Sequence, residues 1–128
     1  MTETKKQILA IDDDYFFRME LRKLLEASGY EVESAETGEE AIACFGDNRF
    51  KKDRFNLIIL DLIMPQPDGF KVFKHLKELS VASRTPILIL SVLGLQPKVQ
   101  ALLDEGAHHL KKDDVPELLV TTVKDLIG

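Results

Sequence analysis

Hydrophobic positions along the chain switch repeatedly between two spacings. Residues 8–11, Ile-Leu-Ala-Ile, form a short apolar run that stops at Asp12, Asp13 and Asp14. This is the pattern of a strand buried on both faces that delivers acids at its C-terminal end. The spacing then changes. Phe17, Leu21, Leu24 and Leu25 recur at i, i+4, i+7 and i+8, one face of a helix that starts near Phe16 and is closed by Gly29. Val32 and Ala35 suggest a weaker second strand. Thr37 and Glu40 stand in the positions of a capping box, opening a helix through about Phe45. Residues 46–54 are a charged connector, and its Lys51-Lys52-Asp53-Arg54 run reads as solvated surface. Residues 55–60 are the clearest buried strand and end at Asp61. Pro65, Pro67 and Gly69 mark a loop, followed by a helix carrying Phe70, Phe73, Leu76 and Leu79. Residues 86–90 are a fourth strand ending at Ser91. Pro97 opens the next helix, with Val99, Leu102 and Leu103 facing inward and Gly106 ending it. A short fifth strand near His109-Leu110-Lys111 leads to a last helix with Leu118, Leu119, Val123 and Leu126 or Ile127.

Five strands alternating with five helices predict an α/β fold with right-handed crossovers and helices on both faces of a parallel sheet. We expect a flavodoxin-like, doubly wound five-stranded sheet in the order 2-1-3-4-5. Its site should lie at the C-terminal strand ends, by the switch point between strands 1 and 3. Asp12, Asp13, Asp14 and Asp61 fall at those two ends.

The 128 residues suit one domain spanning 1–128, and a hydrophobic fraction of 45% can form a core without staples. The single cysteine, Cys44, cannot form an internal disulfide and reads as a small core residue. A polar N-terminus without signal character makes the cytoplasm the expected compartment. No apolar run approaches the ~18–20 residues of a membrane span. A net charge of −5 argues against direct nucleic-acid binding, which needs clustered Lys and Arg.

Several carboxylates at one sheet edge repel each other. Two unit charges ~4 Å apart cost about 4 kcal/mol at an effective dielectric of ~20. An all-oxygen site without cysteine favours a hard cation as the compensating charge: Mg²⁺, or Mn²⁺ in its place. Ser91 adds a hydroxyl at the end of strand 4, and Lys112 or Lys111 adds an ammonium after strand 5. A carboxylate able to attack phosphorus, a cation, a lysine and a hydroxyl together make a phosphoryl-transfer site. Asp14 reads instead as a surface residue or helix N-cap. The adjacent His108 and His109 point to opposite faces of a strand and make a poor chelating pair.

Four segments carry a resemblance over nearly the whole chain. They are Ile8-Leu9-Ala10-Ile11-Asp12-Asp13-Asp14, the Asp61-x-x-Met64-Pro65-x-x-Asp68-Gly69 loop, Pro86-Ile87-Leu88-Ile89-Leu90-Ser91, and Gly106-Ala107 through Lys112. The chain resembles the receiver domains of two-component response regulators. By that likeness Asp61 is the phosphoacceptor and Asp13 a direct Mg²⁺ ligand. Asp12 supports the ion, often through water, and the Ile63 backbone carbonyl completes the protein ligands. Ser91 and the lysine contact the phosphoryl oxygens. Counting without a gap from Gly106-Ala107 puts Asp113 at the family's lysine position. Deleting one residue puts His109 at its aromatic switch position and Lys112 at the lysine, with Lys111 as the alternative.

The resemblance implies a phosphoprotein that catalyses its own phosphorylation and dephosphorylation, a signalling switch rather than a turnover enzyme. Its donor would be a sensor histidine kinase or a histidine phosphotransfer protein. Its output would be a protein or effector domain that the sequence does not name, and homodimerisation is left open. Ser91 and His109 would move with the phosphorylation state. Ile63 and Leu93 are placed to shield the path of attacking water, which implies a long-lived phosphoryl group. The apolar cluster Val92, Leu93 and Leu95 is a candidate partner surface. A second reading is a pseudo-receiver, a phosphorylation-independent protein-interaction module, which follows if the lysine is absent from the site. A flavin or nucleotide site would need a Gly-rich phosphate loop where Asp12-Asp13-Asp14-Tyr15-Phe16 stands. An aspartate-nucleophile phosphatase would want an acid at Ile63.

Overall fold

The computed structural model describes residues 5–46, 55–62, 69–91 and 97–128, with the backbone alone at 45, 46, 79–83, 97 and 98. The chain alternates β1 (Gln7–Ile11), α1 (Tyr15–Ala27), β2 (Glu31–Ala35), α2 (Gly38–Gly46) and β3 (Leu57–Asp61). It continues through α3 (Gly69–Ser83), β4 (Ile87–Ser91), α4 (Pro97–Asp104), β5 (His108–Lys111) and α5 (Val115–Ile127). A single 3₁₀ turn, Lys112–Asp114, joins β5 to α5. All four strand pairings are parallel and the order is β2-β1-β3-β4-β5, the expected doubly wound topology.

The period of two along each strand divides the core into two layers. Leu9, Ile11, Ile58, Leu60, Ile87 and Ile89 face one side, where Val72, Phe73 and Leu76 of α3 and Val99 and Leu102 of α4 cover them. Ile8, Ala10, Leu57, Ile59, Leu88 and Leu90 face the other, under Leu21 and Leu25 of α1 and Leu119 and Val123 of α5. Both faces of β3 and β4 are therefore apolar, which is why their sequences read as unbroken runs. Burying each of the larger of these side chains (Leu, Ile, Val, Phe) contributes roughly 1.5–3 kcal/mol.

The local signals act as the residue types dictate. Asp14 caps α1, its carboxylate accepting from the N–H groups of Phe16 and Phe17. The Thr37 hydroxyl accepts from the Glu40 N–H at the start of α2. Cys44 is half-buried and packs against the α2–α3 side of the core. Two expectations shift. Helix α1 begins one residue earlier than Phe16, because Asp14 supplies the cap. Leu118, grouped with the apolar positions of the last helix, is 45% exposed. The inward face of α5 is the i, i+4, i+8 row of Val115, Leu119 and Val123, and Leu118 lies about 100° around the helix from Leu119. The Leu79 side chain, the Lys51-Lys52-Asp53-Arg54 run and the Pro65–Pro67 portion of the loop lie outside the described residues.

Candidate functional site

Register assembles the acidic centre. Ile11 of β1 pairs with Leu60 of β3, so the next residues, Asp12 and Asp61, leave the sheet side by side. The Asp12 backbone is fixed there by its N–H to the Ala35 carbonyl (3.1 Å) and by Arg18, whose Nη1 donates to the Asp12 carbonyl (2.6 Å). After Asp61, the Leu62 N–H reaches the Leu90 carbonyl at 3.3 Å. The chain then returns to Leu62, whose carbonyl accepts from the Gly69 N–H at 3.0 Å. A Cβ at residue 69 would overlap the Leu62 backbone, so glycine is required where α3 begins.

Asp12, Asp61 and Ser91 are almost wholly buried, at 0%, 2% and 1% exposure. Asp13 is exposed at the rim. One oxygen from each of Asp12, Asp13 and Asp61 lies within 4.8 Å of the others. The Lys112 ammonium, half-buried on the turn after β5, lies 3.2 Å from Asp12 Oδ2 and 3.1 Å from Asp61 Oδ2. Lys111 is exposed; its register partner is Ser91 at the end of β4. The structure thus brings Asp12, Asp13, Asp61 and Lys112 together at the C-terminal edge. Ile63 and the cluster Val92, Leu93 and Leu95 lie outside the described residues.

The electrostatics follow from burial. Asp12 Oδ1 accepts from the Asp14 N–H at 2.8 Å. Asp12 Oδ2 is buried, and among the described residues it has no partner beyond the Lys112 ammonium. Burial raises the Asp12 carboxyl above its ordinary pKa, with a smaller push from Asp13; the Asp14 N–H and Lys112 oppose it without cancelling it. Burial pulls the Lys112 ammonium down, but the attraction of Asp61 and Asp12 together outweighs it and the net direction is up. Both partners therefore hold protons more firmly than usual: burial prevails at Asp12, whereas at Lys112 the two carboxylates outweigh it.

These residues suit a hard divalent cation. The donors are all oxygen, one buried carboxylate oxygen has only the Lys112 ammonium as a partner among the described residues, and three carboxylates with one ammonium sum formally to −2. His108 and His109 lie on β5 and are not members of this cluster, and the period of two puts His109 on the face opposite Leu110. His109 Nε2 is buried without a partner among the described residues, and burial, followed by Lys111, lowers its pKa.

The pattern of the sequence did not single out Arg18 or Phe17. The spacing of Phe17 is that of a core position, and its ring centroid also lies 4.6 Å from the Lys112 ammonium. The available signal was position: both residues fall in the first turn after the acidic run, where a helix leaving β1 must pass over the sheet edge.

A family model described as the response regulator receiver domain matches residues 8–124. The two-component response regulator ARR15 of Arabidopsis thaliana is 32% identical over 126 residues, covering 94% of this chain and 61% of its own length. The transcriptional regulatory protein ResD of Bacillus subtilis is 35% identical over 126 residues, 98% of this chain and 48% of its own length. Among solved structures, the chemotaxis response regulator CheY4 of Vibrio cholerae superposes with a TM-score of 0.81 at 35% identity, covering 96% of this chain and 99% of that one. The chain spans 61% and 48% of the lengths of these two curated relatives.

Proposed function

The chain belongs to the response-regulator receiver family, and on that premise we propose that Asp61 accepts a phosphoryl group from a phosphohistidine. The observation that carries this reading is the buried Asp61 carboxylate held 3.1 Å from the Lys112 ammonium, with oxygens of Asp12 and Asp13 beside it. A carboxylate oxygen of Asp61 attacks phosphorus in line. The new P–O bond forms as the donor's P–N bond breaks, and the electron pair leaves on the imidazole nitrogen, which is protonated from solvent. Lys112 meets the equatorial oxygens with a fixed positive charge, and the Ser91 hydroxyl donates to one of them.

Asp12, Asp13 and Asp61, with the Ile63 carbonyl, are the proposed ligands for Mg²⁺, or Mn²⁺ in its place. When bound, the ion supplies charge neutralisation at the phosphoryl oxygens. The Lys112 contact with both buried acids keeps an ammonium at the centre of the cluster, and Asp12 Oδ2 is the oxygen left for a further positive partner.

The acyl phosphate adds negative charge at the end of β3, beside Ser91 of β4. Drawing the Ser91 hydroxyl inward biases a two-state equilibrium in the face formed by α4 and β5, with His109 following. The donor is a sensor histidine kinase or a histidine phosphotransfer protein in the cytoplasm, and the changed face is read by an output protein or effector domain. The phosphoryl group leaves by hydrolysis. Among the described residues, no helix is long and apolar enough to cross a membrane.

Incubation with a small acyl phosphate and Mg²⁺ tests the reading. The intact protein should gain the mass of one phosphoryl group, and Asp61→Asn should gain none. Equal gain in both proteins, or none in either, overturns it.

A further inference from the structure

The Lys112 ammonium has a third neighbour besides the two carboxylates. Its Nζ stands 4.6 Å from the centroid of the Phe17 ring. Phe17 is half-buried, packs against the core layer under α1 and α5, and lies in the first turn of α1. That turn is pinned by Asp14, whose carboxylate accepts from the Phe16 N–H at 3.0 Å and the Phe17 N–H at 3.3 Å. The segment that supplies the acids therefore also sets the height of the ring.

We propose that Phe17 is a positioning residue for Lys112, its ring face holding the ammonium in the gap between Asp12 and Asp61 by a cation–π contact. The kinetic consequence rests on the phosphoacceptor reading of the site; the placement itself rests on geometry alone. A lysine stem is flexible and loses rotamer freedom when it is held in one place, so charge attraction by itself leaves it many ways to reach the acids. The carboxylates are also poor fixed guides, because any divalent cation at the cluster takes up the same oxygens. The ring offers a direction that no cation at the carboxylates competes for. It attracts an ammonium over its face and excludes water from that side. A leucine at residue 17 would fill the same apolar space without the attraction, whereas a tyrosine would keep both.

The test uses the full chain. In divalent-free buffer, NMR should find the Lys112 ε-methylene protons shifted upfield by the ring in the wild type and in Phe17→Tyr. In Phe17→Leu they should return toward the position of a free lysine, while thermal unfolding shows the fold retained. Phosphorylation by a small acyl phosphate should slow by roughly threefold to tenfold in Phe17→Leu and recover in Phe17→Tyr. In a Lys112→Met background, Phe17→Leu should cause no further slowing. An ordinary Lys112 shift in the wild type overturns the proposal without any variant, so a Phe17→Leu protein that fails to fold does not protect it. A ring-shifted lysine in a protein that cannot be phosphorylated supports the placement and defeats the phosphoacceptor reading. A phosphorylated protein with an unshifted lysine and a Phe17→Leu rate equal to wild type does the reverse.

Discussion

Replacing Lys112 by methionine keeps most of the stem and removes the charge that stands 3.2 Å from Asp12 and 3.1 Å from Asp61. At an effective dielectric of ~20, each contact carries about 5 kcal/mol of Coulomb attraction. The desolvation of three groups offsets much of that. Breaking a buried ion pair by removing one partner costs roughly 3–5 kcal/mol. The Lys112 side chain keeps 19% of its surface exposed, which lowers the expected loss to about 2–4 kcal/mol. The loss should depend on pH with a definite sign. Asp12 already titrates above its ordinary value through burial, and without the ammonium it rises further. The folded variant then binds its proton more tightly than the unfolded chain, so its stability falls as pH rises above the unfolded carboxylate value of ~3.9. Denaturant unfolding at pH 5 and pH 8 should show a larger deficit at pH 8. The site's formal charge also goes from −2 to −3, so calorimetric titration should find Mg²⁺ binding tighter in Lys112→Met than in the wild type. Saturating Mg²⁺ should restore part of the lost stability. Equal stability of the two proteins at both pH values, with unchanged or weaker Mg²⁺ affinity, would show that Lys112 does not compensate the buried acids.

Other residues give sharper local tests. Gly69→Ala places a methyl against the Leu62 backbone and should cost about 1–3 kcal/mol in denaturant melts, with amide shifts centred on Asp61 and Leu62. Asp14→Ala removes the cap of α1 and should cost about 1 kcal/mol in thermal unfolding, most of which Asp14→Ser should retain. His109 is held below its ordinary pKa of 6.5 by burial and by Lys111, so the unfolded chain binds its proton first. Stability should therefore fall as pH drops below about 6.5, and His109→Phe should flatten that part of the pH–stability curve.

The sheet was legible because its central strands are buried on both faces and cannot carry polar residues until they end. Residues 57–60 and 87–90 are apolar throughout, and the first polar residues after them, Asp61 and Ser91, are therefore at the site edge. The lysine was not legible by counting, since Lys111 and Lys112 are adjacent and the segment after Gly106-Ala107 departs by one residue from the family spacing. Two facts of structure separate them. The strand ends at Lys111, which is exposed, and the 3₁₀ turn swings Lys112 over the acids. Leu118 could not be assigned to a side of α5, because hydrophobicity alone does not say which side of a helix meets the core. Phe17 and Arg18 were overlooked for a similar reason. A phenylalanine at a core spacing already has a sufficient explanation, and an arginine bonding a backbone carbonyl leaves no trace in a pattern of side-chain types.

In the proposed mechanism Asp61, among three clustered acids, takes the phosphoryl group. Reducing the phosphorylated protein with borohydride converts an aspartyl phosphate to homoserine, and peptide mass mapping then locates it. Homoserine is expected at residue 61, with Asp12 and Asp13 unmodified. Homoserine at residue 12 or 13, or a phosphoryl group that resists reduction, would contradict it.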